Sequence, residues 1–204
     1  MWGNNTTLVI THNLSAHQIK YTMGIMDYEE EVHESSWGSS TVFFPVNRFQ
    51  DFKQTSHELQ LSSVSDGPLS YVAGLYYLEA DSFITSGPIQ PFTVNHEAEA
   101  QALYGELTYD FANDWSVTLG ARYTDEDKQM ESYSWPPVVR DADRIANNTD
   151  PSVLQMYATP SFSDDNITYR AVLQKEFSKG MGYISYSTGF RSGGFFNRGT
   201  TPSE

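Results

Sequence analysis

The sequence of 204 residues contains no cysteine, so it has no disulfide framework and no thiolate metal site. It also lacks any uninterrupted run of roughly 18–20 apolar residues, which excludes a membrane-spanning helix. Basic residues are few: 12 Lys and Arg stand against 26 Asp and Glu, for a formal net charge of −14. Because phosphate binding requires clustered Lys and Arg, this balance argues against nucleic acid as a partner and against docking on an anionic membrane surface.

Motifs for catalysis and for metal binding are also lacking. The five His, at positions 12, 17, 33, 57 and 96, show neither the i, i+2 nor the i, i+4 spacing of metal ligands. No Gly-x-Ser-x-Gly nucleophile motif occurs. We therefore predict that the chain is not an enzyme and that it holds no catalytic residue, metal ion or cofactor.

Aromatic residues are what the sequence has in excess, with 13 Tyr, 12 Phe and 4 Trp. Tyr and Trp suit a surface that is apolar on one side and wet on the other. The hydrophobic content of 39% and the mean hydropathy of −0.47 are those of a polar chain. A transmembrane β-barrel has this average because its strands alternate between polar and apolar residues. A soluble β-sandwich has it as well, so composition leaves both open.

Alternation with period two recurs along the chain and is clearest between Trp115 and Thr124. Odd positions there carry Trp, Val, Leu, Ala and Tyr, whereas even positions are small or polar. Successive side chains of a strand point to opposite faces, so this strand has one apolar and one wet face. Eight strands are predicted, several of them longer than the 5–6 residues usual in soluble proteins: about 4–14, 17–30, 52–65, 69–82, 96–111, 115–130, 164–177 and 181–190.

The connections between these strands alternate between short and long. Short turns rich in Gly, Pro, Asn, Asp or Ser are predicted at 15–16, 66–68, 112–114 and 178–180. Long connections are predicted at 31–51, 83–95 and 131–163, with a fourth beginning near Arg191. Transmembrane barrels distribute their periplasmic turns and extracellular loops in this way. The sequence therefore predicts an all-β fold, an antiparallel transmembrane β-barrel segment of about eight long strands in four hairpins.

Four blocks of sequence resemble the barrel of TonB-dependent outer-membrane receptors. They are SHELQLSS, GPLSYVAGLYYLEAD, ALYGELTYDFANDWSVTLGARYTDEDK and YRAVLQKEFSKGMGYISYSTGFRSGGFFNRG, and they follow in the family's order from about Ser56 to Arg198. The resemblance implies energised import of a ferric siderophore or another nutrient chelate across the bacterial outer membrane. Implied partners are outer-membrane lipid, the cargo, and the TonB energy complex acting through a plug domain.

The plug domain, the TonB box and the C-terminal strands of the family have no counterpart in the sequence. Residues 1–204 are therefore expected to be a partial barrel domain, a central piece of a larger barrel. Met1 is followed by Trp-Gly-Asn-Asn without a signal peptide, so either a leader was removed or the chain begins inside a longer one. Alternatives that remain are a small barrel closed by these strands alone, a passive porin, and a soluble carbohydrate-binding β-sandwich.

Alternation and resemblance together name three groups of site residues. Tyr or Trp near the strand ends are predicted to face lipid as aromatic girdles: Tyr109, Trp115, Tyr123 and Tyr169. Charged residues of the opposite phase are predicted to face the lumen or plug: Glu58, Glu106, Arg122, Arg170 and Glu176. The two arginines would pair either with a plug or with Glu106 or Glu176. Extracellular ligand contacts are expected from loop residues: Trp37, Tyr133, Trp135 and Arg191.

Overall fold

The computed structural model of the chain describes residues 1–36, 44–64, 67–88, 92–112, 114–134 and 156–195. Nine β-strands account for most of them: β1 Trp2–Asn13, β2 His17–Ser36, β3 Phe44–Ser63, β4 Leu69–Pro88, β5 Phe92–Phe111, β6 Trp115–Ser134, β7 Met156–Ala158, β8 Ser161–Phe177 and β9 Gly180–Ser187. Within these described ranges, no helix is long and apolar enough to cross a membrane.

The strands form one antiparallel sheet in which neighbours in sequence are neighbours in space. The order is β1-β2-β3-β4-β5-β6-β8-β9, and the short strand β7 pairs with the far end of β6 beside β8. Every pairing is antiparallel, so the sheet is a continuous meander. The predicted all-β antiparallel fold is confirmed. In the part of the chain that is described, the sheet stays open, with β1 and β9 at its edges.

Strand number and length differ from the prediction of eight strands. The strands β2 to β6 are 20 residues long each, and β7 is an additional strand. Most of the predicted long connections at 31–51 and 83–95 is therefore strand, and 131–163 contains the end of β6, β7 and the start of β8. The prediction was wrong there because the alternation breaks down, and neighbouring residues of like polarity, such as Phe83 and Ile84 or Glu30 and Glu31, fall on opposite faces. Backbone pairing continues, but the two-face contrast that marks a strand in sequence is lost.

Two of the short turns show contacts that hold the hairpin in place. Asp114 between β5 and β6 has φ 61°, in the left-handed region that Asp and Asn tolerate better than most residues. Its carbonyl accepts a hydrogen bond from the Glu176 amide at 2.9 Å, which ties this turn to β8. In the first hairpin the Leu14 amide donates to the His17 carbonyl at 2.7 Å. All the short turns consequently lie along one end of the sheet, opposite the long connections.

Candidate functional site

The register of the sheet collects apolar side chains on one face. Directly paired residues run across seven strands in one row: Ile10, Tyr21, Leu59, Leu75, Leu103, Tyr123 and Ile167. Every one of the strand arginines Arg48, Arg122 and Arg170 lies in the other phase of the alternation. We call the two sides the leucine face and the arginine face.

The two faces differ in exposure as well as in polarity. Side chains in the middle of the leucine face are open to solvent: Leu103 is 58% and Leu75 55% exposed. The buried side chains of the described residues all lie on the arginine face: Val94, Ala102, Met130, Ser132 and Val172. Side chains crowd on the concave side of a curved sheet and spread on its convex side. The sheet therefore curves toward its arginine face, as the wall of a barrel curves toward its lumen.

The apolar band of the leucine face ends where acidic residues begin. On β6 it runs from Trp115 to Tyr123, a rise of about 26 Å at roughly 3.3 Å per residue. With a strand tilt of about 40°, this spans about 20 Å across a membrane, close to the apolar height of outer-membrane barrels. Asp125 and Asp127 follow on the same face, and Glu99 lies beside Asp127 on β5. Carboxylates are costly in hydrocarbon, so a membrane-embedded band on this face would end before Asp125.

Aromatic residues border this band, and four of them are the predicted girdle candidates. Tyr109, Trp115, Tyr123 and Tyr169 all lie on the leucine face. The Trp115 ring has the Lys175 ammonium 4.8 Å from its centre, and the Tyr169 ring packs on Tyr186.

Two histidine–tyrosine pairs add to the aromatic borders, one at each end of the apolar band. Tyr71 Oη lies 2.8 Å from His17 Nδ1 near the short turns, and Tyr21 Oη lies 2.8 Å from His57 Nδ1 toward the other end. Each border thus combines flat rings with polar tips, the chemistry of a membrane–water interface.

A hydrogen-bonded cluster occupies the middle of the arginine face. Tyr104 Oη donates to Glu58 Oε1 at 2.6 Å and accepts from Gln60 Nε2 at 3.2 Å. Tyr104 reaches two strands away because Gly74 lies between: a Cβ on Gly74 would sit 2.5 Å from the tip of the Tyr104 ring. The glycine of Val72-Ala73-Gly74 on β4 is therefore required to leave space for the tyrosine on β5.

Arg122 is held in this cluster by aromatic rings rather than by a carboxylate. Its guanidinium lies 5.5 Å from the centre of the Tyr76 ring and 5.8 Å from that of Tyr104. Its Nε donates to Thr124 Oγ1 at 3.0 Å. Such cation–π contacts contribute about 0.5–2 kcal/mol each. The two rings and the hydroxyl fix the side chain, and no carboxylate of the described residues forms an ion pair with it.

Arg170 does have a carboxylate partner. Its Nη1 lies 3.3 Å from Glu106 Oε2, and Gly120 lies between them. A Cβ on Gly120 would be 3.2 Å from that same Glu106 oxygen, so the glycine leaves room for the pair. Of the two carboxylates predicted as partners, the structure brings Glu106 to Arg170. Glu176 lies on the same face at the short-turn end, paired in register with Met181.

Residues 2–203 match the sequence profile of the family described as "TonB dependent receptor-like, beta-barrel". The chain belongs to the TonB-dependent receptor barrel family. The resemblance of the four sequence blocks is thereby confirmed, as is location in the bacterial outer membrane, and the soluble β-sandwich alternative was wrong. No curated protein matches the chain.

Solved receptor barrels share the fold at low sequence identity. The ferric yersiniabactin uptake receptor FyuA from Yersinia pestis superposes with a TM-score of 0.75 at 15% identity, over 90% of this chain and 27% of that one. The ferric-catecholate import receptor Fiu from E. coli gives 0.61 at 14% identity, over 91% and 35%. The copper transporter OprC gives 0.64 at 10% identity, over 91% and 29%. The chain thus spans about a third of the receptors it resembles.

The predicted extracellular contacts separate in the structure of this receptor barrel. Trp37 and Trp135 lie outside the described residues. Tyr133, expected in a loop, lies inside β6 on the leucine face, where its Oη donates to Glu131 and its ring packs 4.9 Å from that of Tyr157. Arg191 follows the end of β9 and is exposed.

Sequence reasoning missed the aromatic partners of Arg122. Tyr76 and Tyr104 were assigned no site role, although both fall in the polar phase of strands whose other phase is apolar. A large aromatic ring in the polar phase of a strand was the sequence feature that could have marked these two tyrosines. Lys128 and Ser192, which contact each other across the sheet, were missed because 64 residues separate them.

Proposed function

We propose that the complete receptor takes up a ferric siderophore, or a similar scarce nutrient chelate, with energy supplied through TonB. The observation that carries this proposal is the match of residues 2–203 to the TonB-dependent receptor barrel. Two of the similar solved structures are named for ferric yersiniabactin uptake and ferric-catecholate import, which supports an iron chelate as the cargo class. The activity belongs to the whole receptor, because this chain spans about a third of such proteins.

Residues 1–204 would form a central part of the barrel domain, completed by further strands and by a plug with its TonB box. The arginine face would line the lumen and the leucine face would contact outer-membrane lipid. Support comes from the direction of curvature, from the exposed apolar rows and from the polar cluster. In this arrangement Glu58, Glu106, Arg122, Arg170 and Glu176 face the lumen or the plug.

A passive porin is the competing function, and dependence on energy separates the two. The full-length receptor is expressed in a strain without siderophore receptors of its own, and accumulation of radiolabelled iron from a ferric catecholate is measured. We expect accumulation that disappears in the matched strain lacking TonB. Accumulation that is unchanged without TonB would show passive passage and refute the proposal.

The cargo class needs a separate measurement, since the copper transporter OprC shares the fold. Binding of the purified receptor to a ferric tris-catecholate and to Cu²⁺ is compared by tryptophan fluorescence. The proposal expects saturable binding of the ferric chelate and none of Cu²⁺. Saturable binding of Cu²⁺ without binding of the ferric chelate would refute the iron cargo but not the receptor function.

A further inference from the structure

The chain after β9 turns back over the arginine face. Thr188 still belongs to the edge of the sheet: its amide donates to the Tyr169 carbonyl and its Oγ1 accepts from the Tyr169 amide, both at 2.9 Å. Beyond it, residues 189–195 leave the sheet and make their next contacts on β8, β6 and β5. The segment therefore runs across the inside of the wall, where an extension of β9 would have stayed at the edge.

Three contacts trace its path. The Gly193 backbone lies against the Phe162 ring of β8, where an added Cβ would be 2.7 Å from the ring tip. Lys128 Nζ of β6 donates to Ser192 Oγ at 2.5 Å and to the Gly193 carbonyl at 3.1 Å. The Phe195 ring meets His96 of β5 edge-on, with centroids 5.9 Å apart. Phe162, Lys128 and His96 share the phase of the arginine face.

Lys128 is the polar anchor of this segment. Its ammonium is held by Glu126 at 3.1 Å, and both side chains are only 20% exposed. A single ammonium group therefore joins a carboxylate of the wall to a hydroxyl and a carbonyl of the segment. Charge-assisted hydrogen bonds of this kind are roughly twice as strong as neutral ones and fix geometry.

Arg191 precedes the anchored Ser192 and is exposed. Across the described residues it forms no hydrogen bond and no ion pair, whereas Arg122 lies on two rings and Arg170 pairs with Glu106. An arginine fork without a partner is suited to carboxylate, catecholate or phosphate oxygens. It follows the end of β9 that lies away from the short turns.

We infer that residues 188–195 form an inward-turned arch, anchored on Lys128, that presents Arg191 inside the barrel as a contact for an anionic cargo. The cargo role rests on the proposed function; the path of the arch does not. The arch narrows the lumen at its cargo-facing end, and Arg191 favours a negatively charged chelate over a neutral one of similar size.

The path is tested by cross-linking in the full-length receptor, with any cysteines outside this cysteine-free segment replaced. His96→Cys with Phe195→Cys, a pair that leaves the Lys128 anchor intact, is treated with a short homobifunctional thiol reagent, and the linked peptides are identified by mass spectrometry. Glu97→Cys with Phe195→Cys is the matched control, because Glu97 follows His96 on β5 and lies on the leucine face. We expect linkage in the first pair alone. No linkage in the first pair, or equal linkage in both, overturns the arch.

The role of Arg191 is tested by binding of two iron probes, a trianionic ferric tris-catecholate and a neutral ferric trihydroxamate. Arg191→Met should weaken binding of the anionic probe by about tenfold or more, equivalent to about 1.4 kcal/mol, and leave the neutral probe within about twofold. Lys128→Met should reproduce part of this loss and Lys128→Arg should restore it, while Lys53→Met changes nothing. Equal losses for both probes, or none, overturn the role of Arg191.

The two proposals fail in different ways. If the His96–Phe195 pair links but the unmodified receptor binds neither probe, the iron cargo is refuted and the arch stands. If the receptor binds and transports while the pair does not link, the arch is refuted and the receptor function stands.

Discussion

Gly74→Ala tests whether the hydrogen-bonded cluster on the arginine face needs the space that Gly74 leaves for the Tyr104 ring. The new Cβ would sit 2.5 Å from Tyr104 Cζ and Oη, so the ring must move away. Moving it breaks the 2.6 Å hydrogen bond to Glu58, a bond to a charged group that contributes about 1.5–3 kcal/mol. Alanine itself favours a strand over glycine by about 0.5–1 kcal/mol. We therefore expect a net loss of about 1–2 kcal/mol in the free energy of unfolding.

The measurement is urea unfolding of the full-length receptor refolded into lipid vesicles, followed by tryptophan fluorescence. Gly105→Ala is the matched control, since its added Cβ would meet its nearest atom, the Val72 carbonyl oxygen, at an ordinary 3.6 Å. A double-mutant cycle with Tyr104→Ala isolates the coupling. With the ring removed, Gly74→Ala should cost nothing. The reasoning is refuted if Gly74→Ala is as harmless as Gly105→Ala, or if its cost persists in the Tyr104→Ala background.

Two further predictions concern the band and the strand ends beyond it. Leu119→Arg, in the middle of the apolar band, should lower the free energy of unfolding in vesicles by about 2–4 kcal/mol. Gln129→Arg on the same face beyond the band should change it little, and equal effects would contradict the assigned band. His33, also beyond the band, donates from Nδ1 to Asn47 Oδ1 at 2.9 Å and from Nε2 to Glu31 Oε1 at 3.0 Å, and because both donors are present only on the imidazolium, these bonds raise the pKa of His33 above its ordinary 6.5. The stability from this pairing is present below about pH 6.5 and is lost as pH rises through the raised pKa. NMR titration of the imidazole should give a midpoint that falls in Asn47→Ala, and an unchanged midpoint would contradict this cause.

The fold was predictable where the two faces of a strand meet different surroundings. Between Trp115 and Tyr123 one face is apolar and the other polar, so period two is written in the sequence, and the prediction there was right. Beyond Asp125 the arginine face carries charged Glu126 and Lys128 beside the buried Met130, so polarity no longer separates the two faces in the sequence. The backbone ladder with β5 and β8 continues nonetheless. Strand ends were underestimated because hydrogen bonds between backbones leave little trace in side-chain identity.

The sequence predicted on which face of the sheet each site residue lies, but not which residues contact each other. Alternation alone assigns Arg122 and Arg170 to the same side as Glu58, and the register agrees. Alternation does not predict that Arg170 forms an ion pair with Glu106 while Arg122 packs on the rings of two tyrosines. That choice depends on which residues stand opposite each other across strands, and on the space left at Gly74 and Gly120.

The sequence by itself determined the antiparallel strands, their two faces, the short turns and the receptor family. The strands, faces and turns follow from local rules, a period of two and a set of turn residues, that each hairpin satisfies alone, and the family follows from the resemblance of the four sequence blocks. Tertiary structure decided the strand lengths, the partners of the arginines and the return of residues 188–195 across the wall. These are contacts between segments far apart in the chain, such as Lys128 with Ser192. Register, curvature and steric room bring such residues together, and none of the three is a property of a single segment.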